Sequence, residues 1–193
     1  MYKLCKTEQS ANRQRQLEQG LLQAMLTSEY DEISVSDLCA RLNIPRKAFY
    51  RYFDGKEGAL HALLDHTLMA YESFPVIYAE GEKRTLVRDL EQFFLFWIWQ
   101  KPLLDALMHS GLSGVLIERS IAQAALESTV PRRFLKTEEL RMQHHVTMFG
   151  ICGLMSMVLQ WHHDGYAESA HFMATVAVRL LTQPLFPDAQ KLL

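Results

Sequence analysis

Apolar residues recur at helical spacing through almost the whole chain of 193 residues, and single Gly, Pro or capping residues interrupt them. Leu17, Leu21 and Met25 illustrate the pattern, because residues four apart lie on one face of a helix. This first helix is predicted from about Ser10, as its N-cap, to Ser28. Composition agrees, since Leu, Ala and Met supply 55 residues and Val, Ile and Thr only 25. The sequence therefore predicts an all-α fold of about nine helices.

Composition and charge exclude several classes of protein. With 49% hydrophobic and 22% charged residues, the chain has the composition of a globular protein rather than of a disordered one. Its net charge of −2 gives no general attraction to DNA or to acidic membranes, so any such binding must come from a local patch. Three scattered cysteines favour a reduced, cytoplasmic compartment. We expect no secretory signal, because residues 1–10 contain no apolar run, and the most apolar stretch, 146–161, is too short and too polar for a membrane span.

The segment from Ser34 to Lys56 is predicted to form two short helices joined by a tight turn. The first helix begins at the capping pattern Ser-Val-Ser-Asp and ends at Asn43, a residue type that tolerates the left-handed backbone conformation. Pro45 begins the second helix, which is expected over 45–53. Helix-turn-helix proteins place the start of such a second helix in a DNA major groove about 12 Å wide.

The second of these helices is predicted to have one apolar and one cationic face. Phe49 and Phe53 are four residues apart and are expected to pack against the preceding helices. Tyr52 at the side, and Lys56 at the start of the next helix, are each placed to contact a phosphate. The opposite face is expected to contact base edges and phosphates through Arg46, Lys47, Tyr50 and Arg51.

The run Phe-Tyr-Arg-Tyr-Phe at 49–53 is followed by Lys56, Glu57 and Leu60. With the helix-turn-helix pattern before it, this stretch resembles the N-terminal domain of the TetR (tetracycline-repressor) family of transcriptional regulators, over roughly residues 10–65. The resemblance implies base or sugar-phosphate contacts for Arg46, Lys47, Tyr50 and Arg51. It implies phosphate-side or flanking contacts for Ser34, Ser36, Tyr52 and Lys56.

Three residues depart from common versions of the family. Ala48 stands where Thr or Ser is frequent, Ser36 where a base-reading Arg often occurs, and Asn43 where Gly is usual. The first two departures remove hydrogen bonds that a relative can use, so the operator sequence stays open.

The resemblance implies two domains and a function. A helix-turn-helix DNA-binding domain is expected over 1–55, and a helical domain for effector binding and dimerisation over 56–193. The implied protein is a homodimeric repressor that binds a palindromic operator and is released by a small apolar or amphipathic effector of unknown identity. The alternative is a helical ligand-binding or protein-binding module that kept this fold and does not bind DNA.

The last two predicted helices carry an apolar surface wider than one-sided core packing requires. Small residues such as Gly150 and Gly153 allow a partner backbone to approach closely. This surface looks like the dimer contact of the family, while packing within one chain is the alternative. The expected interface consists of Gly150, Gly153, Leu154, Met157, Trp161, Met173, Val176 and Leu180.

Large and adaptable side chains are concentrated in the middle helices and in one later helix. They can line an apolar effector cavity, although such aromatic stripes also occur in ordinary cores. The candidate pocket residues are Phe93, Phe96, Trp97, Met108, His109, Met142, His145 and Phe149.

No cofactor, metal site or enzymatic activity is predicted. The adjacent histidine pairs 144–145 and 162–163 point about 100° apart on a helix and are unsuited to share one ion. The chain also lacks a nucleophile elbow, a Walker phosphate loop and a dinucleotide-binding glycine motif. We therefore expect a protein that is not an enzyme.

Overall fold

The computed structural model describes residues 1–74, 83–126 and 140–183, and this part of the chain contains nine α-helices and no β-strand. The predicted all-α fold is confirmed. A short 3-10 helix, Tyr30–Glu32, precedes the second α-helix. The helices are α1 (Glu8–Met25), α2 (Val35–Arg41), α3 (Arg46–Phe49), α4 (Lys56–Glu72), α5 (Leu86–Trp99), α6 (Lys101–His109), α7 (Ser113–Leu126), α8 (Leu140–His163) and α9 (Ala170–Thr182).

Capping residues explain where the first two helices begin. Ser34 Oγ accepts a hydrogen bond from Asp37 N at 3.1 Å, which confirms the predicted start of α2. α1 begins earlier than predicted, because Thr7 and not Ser10 is the N-cap and its hydroxyl accepts the Ser10 N–H. None of the helices in the described ranges has the length and apolar character that a bilayer crossing requires.

The turn between α2 and α3 follows the prediction, whereas the length of α3 does not. Asn43 has a φ of 49°, the left-handed conformation that its residue type tolerates. Pro45 keeps an extended ψ of 142° and precedes the helix, and Tyr50 already caps its end. α3 is therefore shorter than the predicted helix over 45–53.

Contacts divide the chain into two compact units. The first comprises residues 1–72 and 101–123, and the second contains the described parts of 73–100 and 124–193. The predicted domain boundary after residue 55 stays a prediction. Within the first unit, α4, α6 and α7 are grouped with the N-terminal helices, and α1 packs directly against α2, α4 and α6.

A buried polar network joins three distant segments of the first unit. The Arg119 guanidinium of α7 donates to both oxygens of Asp65 on α4, at 2.8 and 2.5 Å. The Tyr2 hydroxyl donates to Asp65 at 2.8 Å, and Asp65 is only 3% exposed. Burial, followed by the hydrogen bond to Asp65, raises the pKa of Tyr2 to about 12, so its phenol keeps the donated proton well into the alkaline range.

The N-terminal residues lie beside the segment that follows α3. Lys3 N donates to Tyr52 O at 3.0 Å, and Asp54 N donates to Met1 O at 3.1 Å. Gly58 makes this approach possible, because a Cβ there would collide with the Met1 carbonyl oxygen. The backbone around the end of α3 is thus held from outside the helix-turn-helix.

In the second unit, α9 packs along α5 and also contacts α8. Trp161 of α8 is 3% exposed, its ring lies edge-on to Phe94 of α5, and its indole N–H donates to Glu168 O at 3.0 Å. Ala174 and Ala177 of α9 are buried in the same unit. Trp161, a predicted interface residue, is therefore a core residue of its own chain.

Candidate nucleic-acid interface

The segment 46–53 separates apolar from cationic side chains, as predicted. Phe49 and Phe53 are fully buried, with ring centroids 5.1 Å apart. α3 contacts α2, where Leu38 is buried, and Leu17 of α1 and Leu60 of α4 are buried in the same compact unit. The exposed residues of the segment are Arg46, Lys47, Tyr50 and Arg51.

Three of the four exposed side chains of this segment are cations, and they form few contacts within the described residues. The Arg46 guanidinium lies 5.9 Å from the centre of the Tyr50 ring, and its hydrogen bond to Tyr50 raises the pKa of Arg46. Neither Lys47 nor Arg51 forms an ion pair within the described residues. Unpaired cations beside an exposed tyrosine are the donors and the ring that a DNA major groove accepts.

The two serines of the predicted site lie at the start of α2. Ser34 is exposed, but its hydroxyl already caps α2 and donates to Asp37 Oδ2 at 2.5 Å. Ser36 is exposed in the first turn. Ser36 is therefore the less engaged of the two hydroxyls.

Tyr52 and Lys56 are more enclosed than the other predicted contacts. Tyr52 is 8% exposed. The Lys56 ammonium donates to the Tyr30 carbonyl, lies 3.5 Å from Asp31 O, and sits 4.1 Å from the centre of the Tyr30 ring. A phosphate contact by Lys56 requires at least one of these interactions to be released, and both contacts stay predictions.

The predicted pocket residues fall in both compact units. On α5, Phe96 and Trp97 are buried and Phe93 is half-buried, and the Trp97 ring contacts both phenylalanine rings. Met108 is half-buried and His109 exposed on α6, while His145 and Phe149 are exposed on α8. The Met142 side chain lies outside the described residues. The effector pocket stays a prediction.

The predicted interface residues other than Trp161 lie along α8 and α9. Gly150 is buried, Gly153 is exposed, and Leu154 and Met157 are half-buried. On α9 the set is Met173, Val176 and Leu180, of which the first two are half-buried and the last is 41% exposed. Both helices thus present an apolar stripe at the border between core and solvent.

Sequence reasoning missed the residues that hold the helix-turn-helix in place. Tyr30 is not part of the helix-turn-helix pattern. Its backbone N–H donates to Ser110 Oγ at 3.0 Å and so connects the segment before α2 to the end of α6. Asp65 and Arg119 are 54 residues apart, and no spacing rule connects them. Within the described residues, no three His, Cys, Asp or Glu side chains are grouped to hold a metal ion.

Comparisons with known proteins agree with this arrangement. Residues 27–63 match the family model described as "Bacterial regulatory proteins, tetR family". This match includes α2, α3 and the start of α4. No curated protein matches the sequence significantly.

Similar solved structures show the same fold. A tetR-family transcriptional regulator from Streptomyces coelicolor aligns with a TM-score of 0.56 and 23% identity, over 87% of this chain and 80% of that one. The fatty acid degradation regulator FadR from Bacillus halodurans aligns with a TM-score of 0.54 and 13% identity, over 94% and 98%. The dihydroxyacetone kinase operon activator DhaS aligns with a TM-score of 0.54 and 12% identity, over 88% of this chain and 93% of that one.

Proposed function

We infer that this chain, whose residues 27–63 and whose fold are those of TetR-family transcriptional regulators, binds double-stranded DNA and controls transcription. The observation that supports this function is that α3 and the residues after it have one buried apolar side and one exposed cationic side. Phe49 and Phe53 are fully buried, while Arg46, Lys47 and Arg51 are exposed. That arrangement fixes α3 firmly and leaves its cationic side available to a major groove.

Duplex DNA from the region flanking the gene of this protein is the appropriate first probe. We expect a gel shift whose affinity falls steeply as salt rises, because cations that bind phosphates release condensed counterions. Arg46→Ala or Tyr50→Ala is expected to weaken binding to the operator by about 1 to 3 kcal/mol, since each removes a contact that lies on the exposed side of α3.

Tyr50→Phe serves as the matched control for the ring. It keeps the aromatic surface and removes the hydroxyl, so its affinity separates a ring contact from a hydrogen bond. Helical circular dichroism of all three variants should match that of the unaltered protein, because both side chains are exposed. Duplex binding that is absent, or that is insensitive to salt, would count against the proposed function.

We propose that two copies of the chain associate through α8 and α9 and bind a palindromic operator. A two-fold dimer can place two recognition helices about 34 Å apart, one turn of DNA, and so combine two weak half-sites. The half-buried stripe on both helices supports this proposal, because Met157, Met173 and Val176 are apolar and only partly covered by their own chain.

Met157→Glu is expected to shift the protein from dimer to monomer, because it buries a carboxylate in an apolar contact. Sedimentation velocity measures the change, and operator binding should weaken in parallel. Thr175→Glu is the control, since Thr175 is exposed on the side of α9 opposite to Met173, Val176 and Leu180. A dimer that is unaffected by Met157→Glu would place the contact elsewhere.

We propose further that DNA binding represses transcription and that a small apolar or amphipathic effector releases the protein. The ring cluster of α5 supports an effector site. Trp97 is 1% exposed, and its indole N–H has no acceptor among the described residues. An effector with a hydrogen-bond acceptor would satisfy that donor. Compounds that abolish the gel shift would identify the effector, and it can act only through unequal affinity for two conformations.

A further inference from the structure

Two open concavities flank the exposed side of α1 in the first compact unit. One, of about 900 Å³, lies between the start of α1 and the residues that follow α3, and both Arg13 and Arg51 line it. The other, of about 470 Å³, lies between α1 and the turn that precedes α3, and Arg13 lines it as well. The exposed side of α1 is therefore continuous with the surroundings of both ends of α3.

The exposed side of α1 is cationic and rich in amides. Its central residues are Asn12, Arg13, Arg15 and Gln16, all exposed, and we call them the α1 face. The acidic residues of α1 are Glu8 in the first turn, which also lines the larger concavity, and Glu18. Glu18 is buried, and its Oε2 is hydrogen-bonded to His66 Nδ1 at 2.9 Å, so Glu18 does not offset the charge of this face.

Among the described residues, no carboxylate pairs with the arginines of the α1 face, whereas the Arg and Lys side chains of α5, α6 and α7 all have such a partner. Within the described residues, Arg13 donates to the neutral Gln16 at 3.0 Å, and neither Arg15 nor Arg51 forms an ion pair. In α5, α6 and α7 each cation has a carboxylate partner: Arg88 with Glu91, Lys101 with Asp105, and Arg119 with Asp65.

We propose that the α1 face binds the sugar-phosphate backbone of the same DNA whose major groove receives α3. This inference rests on the proposed function. Arg13 and Arg51 border one concavity, so a phosphate between them would relieve their mutual repulsion and accept charge-assisted hydrogen bonds from both. Asn12 and Gln16 add neutral donors beside it. Such contacts fix the position of the protein on the duplex and carry no sequence information.

The salt dependence of binding tests the α1 face, because it counts phosphate contacts. A mixed-sequence duplex of roughly 30 base pairs, followed by fluorescence anisotropy, is a suitable probe since phosphate contacts do not depend on sequence. For each contact that Arg13→Gln removes, the slope of log K against log salt should shrink by about 0.9, and the affinity at 0.1 M salt should fall roughly eightfold.

Arg179→Gln is the matched control, because it removes the same charge from an exposed position of α9 in the second compact unit. It should leave the slope unchanged. An equal change in both variants, or no change in Arg13→Gln while the unaltered protein binds the duplex, would overturn the role of the α1 face and leave the proposed function intact. An unaltered protein that fails to bind any duplex would overturn both.

Discussion

Replacing Phe49 by alanine is expected to lower the free energy of unfolding by about 3 to 5 kcal/mol. The Phe49 side chain is fully buried, and its ring lies 5.1 Å from that of Phe53. Removing the ring leaves a cavity under α3 that the short helix and its flanking turns can fill only in part. Urea denaturation followed by helical circular dichroism measures the loss.

Tyr50→Ala is the control for this variant, because Tyr50 is the next residue and is 41% exposed. It should change the stability by no more than about 0.5 kcal/mol, as is usual for surface positions. Phe49→Leu gives a milder test if the alanine variant does not fold, since leucine keeps much of the buried volume. Equal losses in Phe49→Ala and Tyr50→Ala would contradict the burial of the ring and the orientation of α3.

Arg119→Met is expected to lower the free energy of unfolding by about 3 kcal/mol, the lower end of the range for buried ion pairs. The lower end applies because the Arg119 side chain is 23% exposed. The substitution leaves the Asp65 carboxylate, 3% exposed, with the Tyr2 hydroxyl as a neutral partner. Urea denaturation at neutral pH measures the effect, because the carboxylate must be charged for the loss to be complete.

Two further variants separate charge from packing. Lys101→Met breaks the exposed pair with Asp105 and should cost at most about 1 kcal/mol. Combining Asp65→Asn with Arg119→Met should restore part of the stability, because no buried charge is then left unpaired and the amide oxygen still accepts from Tyr2. A double variant less stable than Arg119→Met would show that packing, and not the unpaired carboxylate, causes the loss.

Local patterns in the sequence predicted much of the helix-turn-helix. The cap at Ser34, the left-handed Asn43 and the burial of Phe49 and Phe53 depend on residues within a few positions of one another. The same rules misplaced the start of α1, because Thr7 and Ser10 are both good caps and only the tertiary structure selects between them. They also overestimated the length of α3, since the apolar spacing continues past the residue where the helix ends.

Contacts between distant segments were beyond such rules. Tyr2, Asp65 and Arg119 meet although 63 and 54 residues separate the pairs, and each residue type alone is common on surfaces. That Arg13 and Arg51 line one concavity was missed for the same reason. Burial of Trp161 within its own chain likewise depends on Phe94, which precedes it by 67 positions.

The grouping of α6 and α7 with the N-terminal helices bears on protein engineering. A fragment that stops after α4 would lack Arg119 and Ser110, leaving Asp65 uncompensated and Tyr30 N without its acceptor. It would also uncover the side of α1 on which α6 packs. A chimeric protein that joins only the first 72 residues to a foreign sensor domain would therefore contain the helix-turn-helix without the contacts that α6 and α7 supply. Chimeras should instead transfer residues 101–123 together with the first 72 residues.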